Sequence, residues 1–273
     1  MKRSKISITV VDSSNDVPPP APPLPKREPR APSTRGSTRV ASSTPRRAPD
    51  TAATSSRSAR GAGGREVRQA KVVPVMPTDF SALTRVTQLV AGLPGPWGFG
   101  GGWGLDLFLG KPTRAHKDVD VAILRRHQLA WQSGLTAGGW TLAVAHHGKL
   151  SRWADGQPIE LPLHVVWGKN PKHDPDFIEL LLNDDEDGQF VFRRESSVRL
   201  PLAQAFLPMR DGLVVLAPEL ILLYKAKSHA NDENEHDFES ALPALDPFRR
   251  AWLTAALGAT HPGHPWISRL GRH

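Results

Sequence analysis

Two aspartates separated by one residue give this sequence its clearest chemical signal. Asp118 and Asp120 flank Val119, in a segment that alternates acidic and apolar residues at its start and continues to Leu124 as a predicted β-strand. Side chains two residues apart on a strand point to the same face, so the two carboxylates are expected to lie together. Such carboxylates repel one another unless a cation lies between them, and Mg²⁺ prefers hard oxygen ligands. The pair therefore predicts a magnesium site, and two ions about 4 Å apart would suit phosphoryl displacement.

A glycine turn upstream strengthens this interpretation, because an Asp-x-Asp pair alone is also typical of a solvated strand surface. Gly100, Gly101 and Gly102 lie between a predicted strand at 97–101 and a helix predicted to start at Trp103. Backbone amides at such a turn form an anion site with the helix N-terminus, and glycine lets a polyphosphate approach closely. Three glycines also form tight structural turns, but the joint pattern favours a nucleotide site beside the metal site.

A third carboxylate is expected from a neighbouring strand, and Glu179 is the best candidate. It is the one charged residue in the apolar segment 177–182, and burying it without a partner would be costly. The competing candidates are Asp176 and the acidic run 184–187, which is more typical of a solvated turn between two strands. Glu179 and the aspartate pair together form the predicted catalytic and metal-binding set.

Charge and composition exclude several classes of protein. Residues 1–75 hold 15 of the 35 lysines and arginines but only five of the 27 acidic residues. The rest of the chain therefore has 20 basic and 22 acidic residues. The body is therefore not expected to bind nucleic acid, although the basic tail is suited to weak phosphate contacts. The absence of cysteine excludes disulfides, thiolate zinc sites and thiol catalysis. No membrane span is predicted, because the longest uncharged run contains prolines and seven glycines, and a cytoplasmic location is expected.

The spacing of the glycine and aspartate residues resembles a known family. Gly-Gly-Trp at 101–103, followed by Thr-Arg-x-His-x-Asp-x-Asp at 113–120, resembles the aminoglycoside adenylyltransferase branch of the polymerase-beta-like nucleotidyltransferases. The resemblance continues through motifs at 192–194 and 224–227 and covers about residues 78–270. These motifs are specific for a fold and a metal site but not for a substrate.

This resemblance implies a reaction and a set of site residues. Asp118, Asp120 and Glu179 would bind two Mg²⁺ ions, or Glu179 would act as the base for the acceptor. The residues implied to contact the nucleotide are Gly101, Gly102, Trp103, Thr113, Arg114 and Lys225. The implied reaction transfers a nucleoside monophosphate, AMP from ATP or its equivalent from another NTP, to a hydroxyl of a small-molecule acceptor. Aminoglycosides are the family's best-known acceptors.

Several of these assignments have alternatives. Arg114 is suited either to contact phosphate or to pair with Asp106, and His116 is better explained by packing or capping than by catalysis. Lys225 either reaches the phosphates or extends along the surface. The segment after its helix lacks cations that the family carries there. A nucleotide-binding or interaction module with weak or absent activity is therefore the alternative function.

The order of predicted elements indicates an α+β fold with three parts. Residues 1–75, rich in Pro, Ser and Arg, are predicted to be disordered because they bury too little apolar surface to offset the entropy of ordering. Residues 76–200 are predicted to form the nucleotidyltransferase domain, with a mixed sheet flanked by helices. Residues 201–273 are predicted to form a mostly helical region that packs on this domain.

Overall fold

A computed structural model describes residues 79–146 and 149–272 of the chain. These residues form a mixed β-sheet with flanking helices, followed by further helices, so the predicted α+β fold class is confirmed. The segment 1–75, predicted to be disordered, lies outside the described residues. Within the described ranges, no helix is long and apolar enough to cross a membrane.

The secondary-structure elements are numbered in chain order. The strands are β1 (Trp97–Phe99), β2 (Asp120–Leu124), β3 (Thr141–His146), β4 (Lys149–Arg152), β5 (Val165–Lys169), β6 (Phe177–Glu186), β7 (Gln189–Val191), β8 (Arg199–Pro201), β9 (Phe206–Pro208) and β10 (Val214–Leu216). The helices are α1 (Ser81–Leu89), α2 (Gly101–Leu109), α3 (Gln128–Ala137), α4 (Leu202–Ala205), α5 (Pro218–Ala226), α6 (Asp232–Ala241), α7 (Pro247–Thr260) and α8 (Pro265–Leu270).

The sheet places strands from distant parts of the chain side by side. Its order is β4-β3-β5-β6-β2-β1-β10-β9, and the far end of β6 also pairs with β7, which pairs with β8. β2 runs parallel to β6, and β1 runs parallel to β10. Val121, Ala122, Ile123 and Leu124 are all buried, as expected for a central strand covered on both faces. The start of β2 therefore lies at a fixed position in the middle of the sheet.

Helix α2 follows the glycine turn directly and is buried nearly all round. Its side chains from Trp103 to Leu107 are inaccessible to solvent, which is typical of a helix enclosed by the core rather than of an amphipathic surface helix. It ends at Gly110, whose φ of +72° is the left-handed conformation that favours glycine at a helix C-terminus. Helix α2 thus holds the glycine turn rigidly against the sheet.

The acidic run at 184–186 is not the solvated turn that the sequence predicts. Strand β6 continues through these residues, and each carboxylate has an arginine partner. The pairs are Asp184 with Arg125 at 2.6 Å, Asp185 with Arg126, and Glu186 with Arg199 at 2.5 Å. The turn itself is short, and Asp187 in it adopts a positive φ of 49°. The prediction was wrong because sequence alone does not show the arginines that neutralise the run.

The segment after residue 200 contributes to the sheet as well as to the helices. Strands β9 and β10 extend the sheet beyond β1, although the sequence predicts a mostly helical region there and neither strand. Each has three residues, too few to show a two-residue period. Strand β4 and helix α8 were also missed. The domain boundary at residue 200 stays a prediction, but two strands of the sheet lie beyond it.

Candidate active site

The carboxylates of Asp120 and Glu179 are presented by neighbouring parallel strands. Asp120 begins β2 and lies in register with Glu179 of β6, so their side chains share one face of the sheet. Both residues are half-buried. Asp118, predicted to lie on the same strand, instead occupies an exposed bend before β2. The structure thus brings Asp120 and Glu179 together and leaves Asp118 at the rim.

The ionised form of Asp120 is disfavoured by its surroundings. Burial raises the pKa of Asp120 well above its ordinary value, and the nearby charges of Glu179 and Asp118 raise it further. Glu179 is held in place, because Trp167 Nε1 donates to its Oε1 at 2.5 Å. A cation between the two carboxylates would relieve their repulsion.

The donor set fits a magnesium ion that is completed by substrate. No three His, Asp or Glu side chains in the described part of the chain are grouped so as to hold a metal ion. Mg²⁺, however, commonly takes one or two carboxylates and fills its shell with water and phosphate oxygens. Asp120 and Glu179 meet that requirement. The predicted set of three ligands, with Asp118 included, stays a prediction.

The glycine turn makes room for side chains of the protein itself. Gly101 has a φ of +57°, and a Cβ there would lie 1.7 Å from Asp120 Oδ2. A Cβ at Gly102 would lie 2.4 Å from His116 Nδ1 and 2.5 Å from Arg114 Nη2. The backbone is also tied to β2, because Gly100 N donates to the carbonyl of Asp120 at 2.9 Å. Glycine is required here so that the aspartate can pack against the turn.

A cavity of about 300 Å³ opens beside the two carboxylates. Its described lining includes Gly101, Asp120 and Glu179 together with four cationic side chains: Arg193, Arg194, Lys225 and Lys227. The predicted site residues that are not among the described lining residues are Gly102, Trp103, Thr113, Arg114 and Asp118. Carboxylates next to a group of cations form the arrangement that a metal-bound polyphosphate requires.

Arg193 and Arg194 are the site residues that the sequence prediction missed. Burial lowers the pKa of both guanidinium groups, so the protein holds two partly desolvated positive charges at this wall. Both lie over the ring of Tyr224, each 5.3 Å from its centroid. Burial raises the pKa of Tyr224 to about 12, and its hydroxyl donates to Asn183 Oδ1 at 3.1 Å. The adjacent arginines after β7 were a usable signal, since an anion would offset their desolvation.

Asp237 of α6 links the cavity to the loop before β2. Its carboxylate accepts from Arg114 Nε at 2.8 Å and Nη2 at 2.9 Å, and Lys225 Nζ lies 2.8 Å from Oδ2. Burial raises the pKa of Asp237, but the hydrogen bond from Arg114 and the charge of Lys225 outweigh it, and the pKa is lowered. Of the two alternatives for Arg114, the pair with Asp106 is wrong, because Asp237 binds the guanidinium group instead; the phosphate contact stays a prediction.

Asp106 instead supports the motif from inside the core. Its side chain is 1% exposed; it accepts from the Thr113 hydroxyl at 2.5 Å and pairs with His116 Nε2 at 2.6 Å. The Trp103 ring is buried 4.8 Å from the His116 ring. The preferred packing role of His116 agrees with this geometry. The predicted nucleotide contacts of Trp103 and Thr113 stay predictions.

Comparison with known proteins yields one family match. Residues 82–166 match the family model described as aminoglycoside-2''-adenylyltransferase. No curated protein matches the chain. The matched range contains the glycine turn and the aspartate pair, whereas Glu179 and the helices from α5 onward lie outside it.

Solved structures of antibiotic-modifying and related proteins show a distant likeness. A crystal structure of ANT(2'')-Ia in complex with adenylyl-2''-tobramycin has 12% identity and a TM-score of 0.46, over 66% of this chain and 97% of that chain. Lincomycin-bound LnuA, a lincosamide antibiotic adenylyltransferase, has 17% identity and a TM-score of 0.43, over 60% and 96%. A nucleotidyltransferase-like protein from Paracoccidioides brasiliensis has 18% identity and a TM-score of 0.43, over 72% and 94%.

Similarities this low carry no conclusion about activity. The likeness at the level of sequence is confined to residues 82–166, which are similar to the aminoglycoside-2''-adenylyltransferase family model.

Proposed function

We propose that this protein is a Mg²⁺-dependent nucleotidyltransferase that transfers a nucleoside monophosphate to a hydroxyl of a small molecule. The donor is ATP or another NTP, and AMP is the group transferred from ATP. The observation that carries the proposal is the cavity that Asp120 and Glu179 line together with a group of cations. A carboxylate pair without nearby cationic side chains would be suited to bind a metal ion alone. Cationic side chains without carboxylates would be suited to bind any anion, so the combination favours a metal-bound polyphosphate.

The cationic wall is suited to the triphosphate. Arg193 and Arg194 supply planar guanidinium groups that bind phosphate oxygens in pairs, and their desolvation favours an anionic ligand. Lys225 lines the same cavity and is oriented by Asp237 at 2.8 Å and by Asn234 Oδ1 at 3.1 Å. These side chains would hold the phosphates beside the carboxylates and neutralise charge that develops on the leaving group.

The carboxylates have two roles in this proposal. Asp120 would hold Mg²⁺ with Asp118 as a further ligand, and Glu179 would either complete the metal site or act as the base for the acceptor hydroxyl. The bound ion supplies positive charge that polarises the phosphate oxygens. Glu179 Oε1 already accepts from Trp167, so the second oxygen of Glu179 is the one suited to bind metal or accept the acceptor's proton.

Label transfer tests the proposed reaction. The protein is incubated with Mg²⁺ and ATP labelled at the α-phosphate, together with tobramycin, lincomycin and a bacterial metabolite extract, and products are separated by chromatography. Label should enter a small molecule as pyrophosphate is released. The Asp120→Asn variant should lower transfer by at least about 100-fold, because it removes a ligand that acts in the transition state.

The matched control is Asp174→Asn, which alters an exposed aspartate paired with Arg85 and should leave transfer unchanged. Mg²⁺-dependent binding of ATP without label transfer would instead support the alternative of a nucleotide-binding module. Absence of both binding and transfer would contradict the proposed function.

A further inference from the structure

The sheet face that carries the two carboxylates continues across the neighbouring strands. Asp120 lies beside Glu179, Glu179 beside Trp167 of β5, and Trp167 beside Ala143 of β3. Residues in register on adjacent strands share a face, so the reactive pair opens directly onto this surface.

The surface beyond Glu179 has an apolar floor. In the next row, Leu181 pairs with Val165, and Ala145 pairs with Leu150 of β4. We name this surface the acceptor face and define it by five residues: Ala143, Ala145, Leu150, Val165 and Trp167. A cavity of about 280 Å³ lies on this surface, and its described lining includes Ala145, Leu150, Val165 and Trp167. Leu150 is 53% exposed and Trp167 38% exposed, so this floor is open to solvent.

Trp167 fixes both the floor and the reactive pair. Its ring packs edge-on against Phe177, with centroids 5.5 Å apart and planes at 82°. Its Nε1 donates to Glu179 Oε1 at 2.5 Å. A flat ligand that packs on this indole would therefore lie next to the carboxylate that faces the nucleotide cavity. The same Glu179 lines both cavities.

Charge around the acceptor face is unfavourable for a polycation. Among the described residues that line its cavity, Glu179 is the one carboxylate, whereas Lys149 is a cation. Lys169 lies beside Phe177 on the same face, and Arg152, which pairs with Asp155 at 3.5 Å, lies beside Ala143 in register. A ligand with several ammonium groups would meet these cations and find few carboxylates to pair with.

We propose that the acceptor face binds the acceptor of the transfer reaction. The acceptor is a hydroxyl compound with a flat apolar or aromatic part and at most one positive charge, not a polycationic aminoglycoside. This inference rests on the proposed function and names its substrate class. It is carried by the register, the exposed apolar side chains, the cations at the rim and continuity with Glu179.

The chemistry balances with the groups present. The acceptor oxygen forms a bond to the α-phosphorus, and the bond from that phosphorus to the bridging oxygen breaks. Pyrophosphate leaves with the electron pair. The hydroxyl proton passes to the Glu179 oxygen that does not accept from Trp167.

Binding measurements test the inference separately from transfer activity. Isothermal titration of the full chain, with Mg²⁺ and α,β-methylene-ATP present, compares 4-nitrophenyl glucoside and galactoside with tobramycin. The aryl glycosides should bind at least about tenfold more tightly than tobramycin, equivalent to about 1.4 kcal/mol. Because the ATP analogue does not react, failure of the proposed transfer reaction would not affect this result.

Leu150 and Leu161 provide a matched pair of variants, because their exposed fractions are 53% and 54%. Leu150→Asp should weaken aryl glycoside binding at least about tenfold and strengthen tobramycin binding, since it replaces apolar area with a negative charge. Leu161→Asp should change neither the binding of the aryl glycosides nor that of tobramycin. If Leu150→Asp does not fold, Leu150→Ala should still weaken aryl glycoside binding about threefold.

Three results would overturn the inference: tobramycin binding as tightly as the glycosides, no binding of the glycosides, or Leu150 variants that bind them as the wild type does. Loss of label transfer with every acceptor would contradict the proposed function instead.

Discussion

Replacing Gly101 by alanine tests the packing of the aspartate against the glycine turn. Two costs are expected from Gly101→Ala. The left-handed backbone, with φ at +57°, costs a residue with a Cβ about 1–2 kcal/mol. The new Cβ would also lie 1.7 Å from Asp120 Oδ2 and 2.8 Å from its Cγ, so the carboxylate must move. Overpacking of this kind costs about 1–3 kcal/mol, which gives a total of about 2–5 kcal/mol.

Gly110→Ala measures the cost of the left-handed backbone alone, without the cost of overpacking. Gly110 has a φ of +72°, but a Cβ there would meet nothing within 4 Å. Its replacement should therefore lower the free energy of unfolding by about 1–2 kcal/mol only. Urea denaturation followed by tryptophan fluorescence measures both variants, and the slope of each curve checks that the transition remains comparable.

Mg²⁺-dependent ATP binding should differ more between the two variants than their free energies of unfolding do. Gly101→Ala displaces Asp120 and should weaken Mg²⁺-dependent ATP binding, whereas Gly110→Ala should leave it unchanged. Equal destabilisation of the two variants, or normal Mg²⁺-ATP binding by Gly101→Ala, would refute the argument that the turn exists to admit the aspartate.

Further predictions concern the ion pairs around the cavity. Asp237→Ala should lower the free energy of unfolding by about 3 kcal/mol, because Arg114 and Lys225 lose a buried counter-charge; a loss below about 1 kcal/mol in urea denaturation would contradict this. The fold lowers the pKa of Asp237, so this carboxylate stabilises the folded state above its ordinary pKa of 3.8. That stabilisation is lost as the pH falls below 3.8, and the unfolding curves of the wild type and the variant should therefore converge in acid. Arg194→Ala should weaken Mg²⁺-ATP binding about tenfold in isothermal titration, whereas Arg210→Ala, outside this cavity, should not.

Local patterns predicted the central part of the fold and not its edges. The strand after Asp120, the glycine turn and helix α2 follow from periodicity and from glycine chemistry, and the structure confirms them. Strands β9 and β10 were not predicted, because a strand of three residues is too short to show the two-residue alternation of apolar side chains. Their pairing partners are also set by the tertiary fold. The boundary at residue 200, which the order of predicted elements suggests, stays a prediction, and β9 and β10 lie beyond it.

Candidate site residues were predictable where a motif contained them and less so where the fold assembled them. The pairing of Asp120 with Glu179 agrees with the expectation of a carboxylate from a neighbouring strand. The role of Asp237 was not visible, because its partners are far away in sequence and are brought to it by packing of α6. Arg193 and Arg194 were part of a recognised motif, but only their position over the Tyr224 ring, in the lining of the cavity, distinguishes them from other surface cations.

The parallel pairing of β2 with β6 and of β1 with β10 has a consequence for synthesis of the chain. β1 and β2 leave the ribosome early, but the strands that flank them are Phe177–Glu186 and Val214–Leu216. Until both have emerged, the two apolar strands present uncovered edges, which are sites of intermolecular pairing. We therefore expect that nascent chains ending before residue 177 aggregate or require a chaperone, and that slow, long-range strand pairing limits the folding rate.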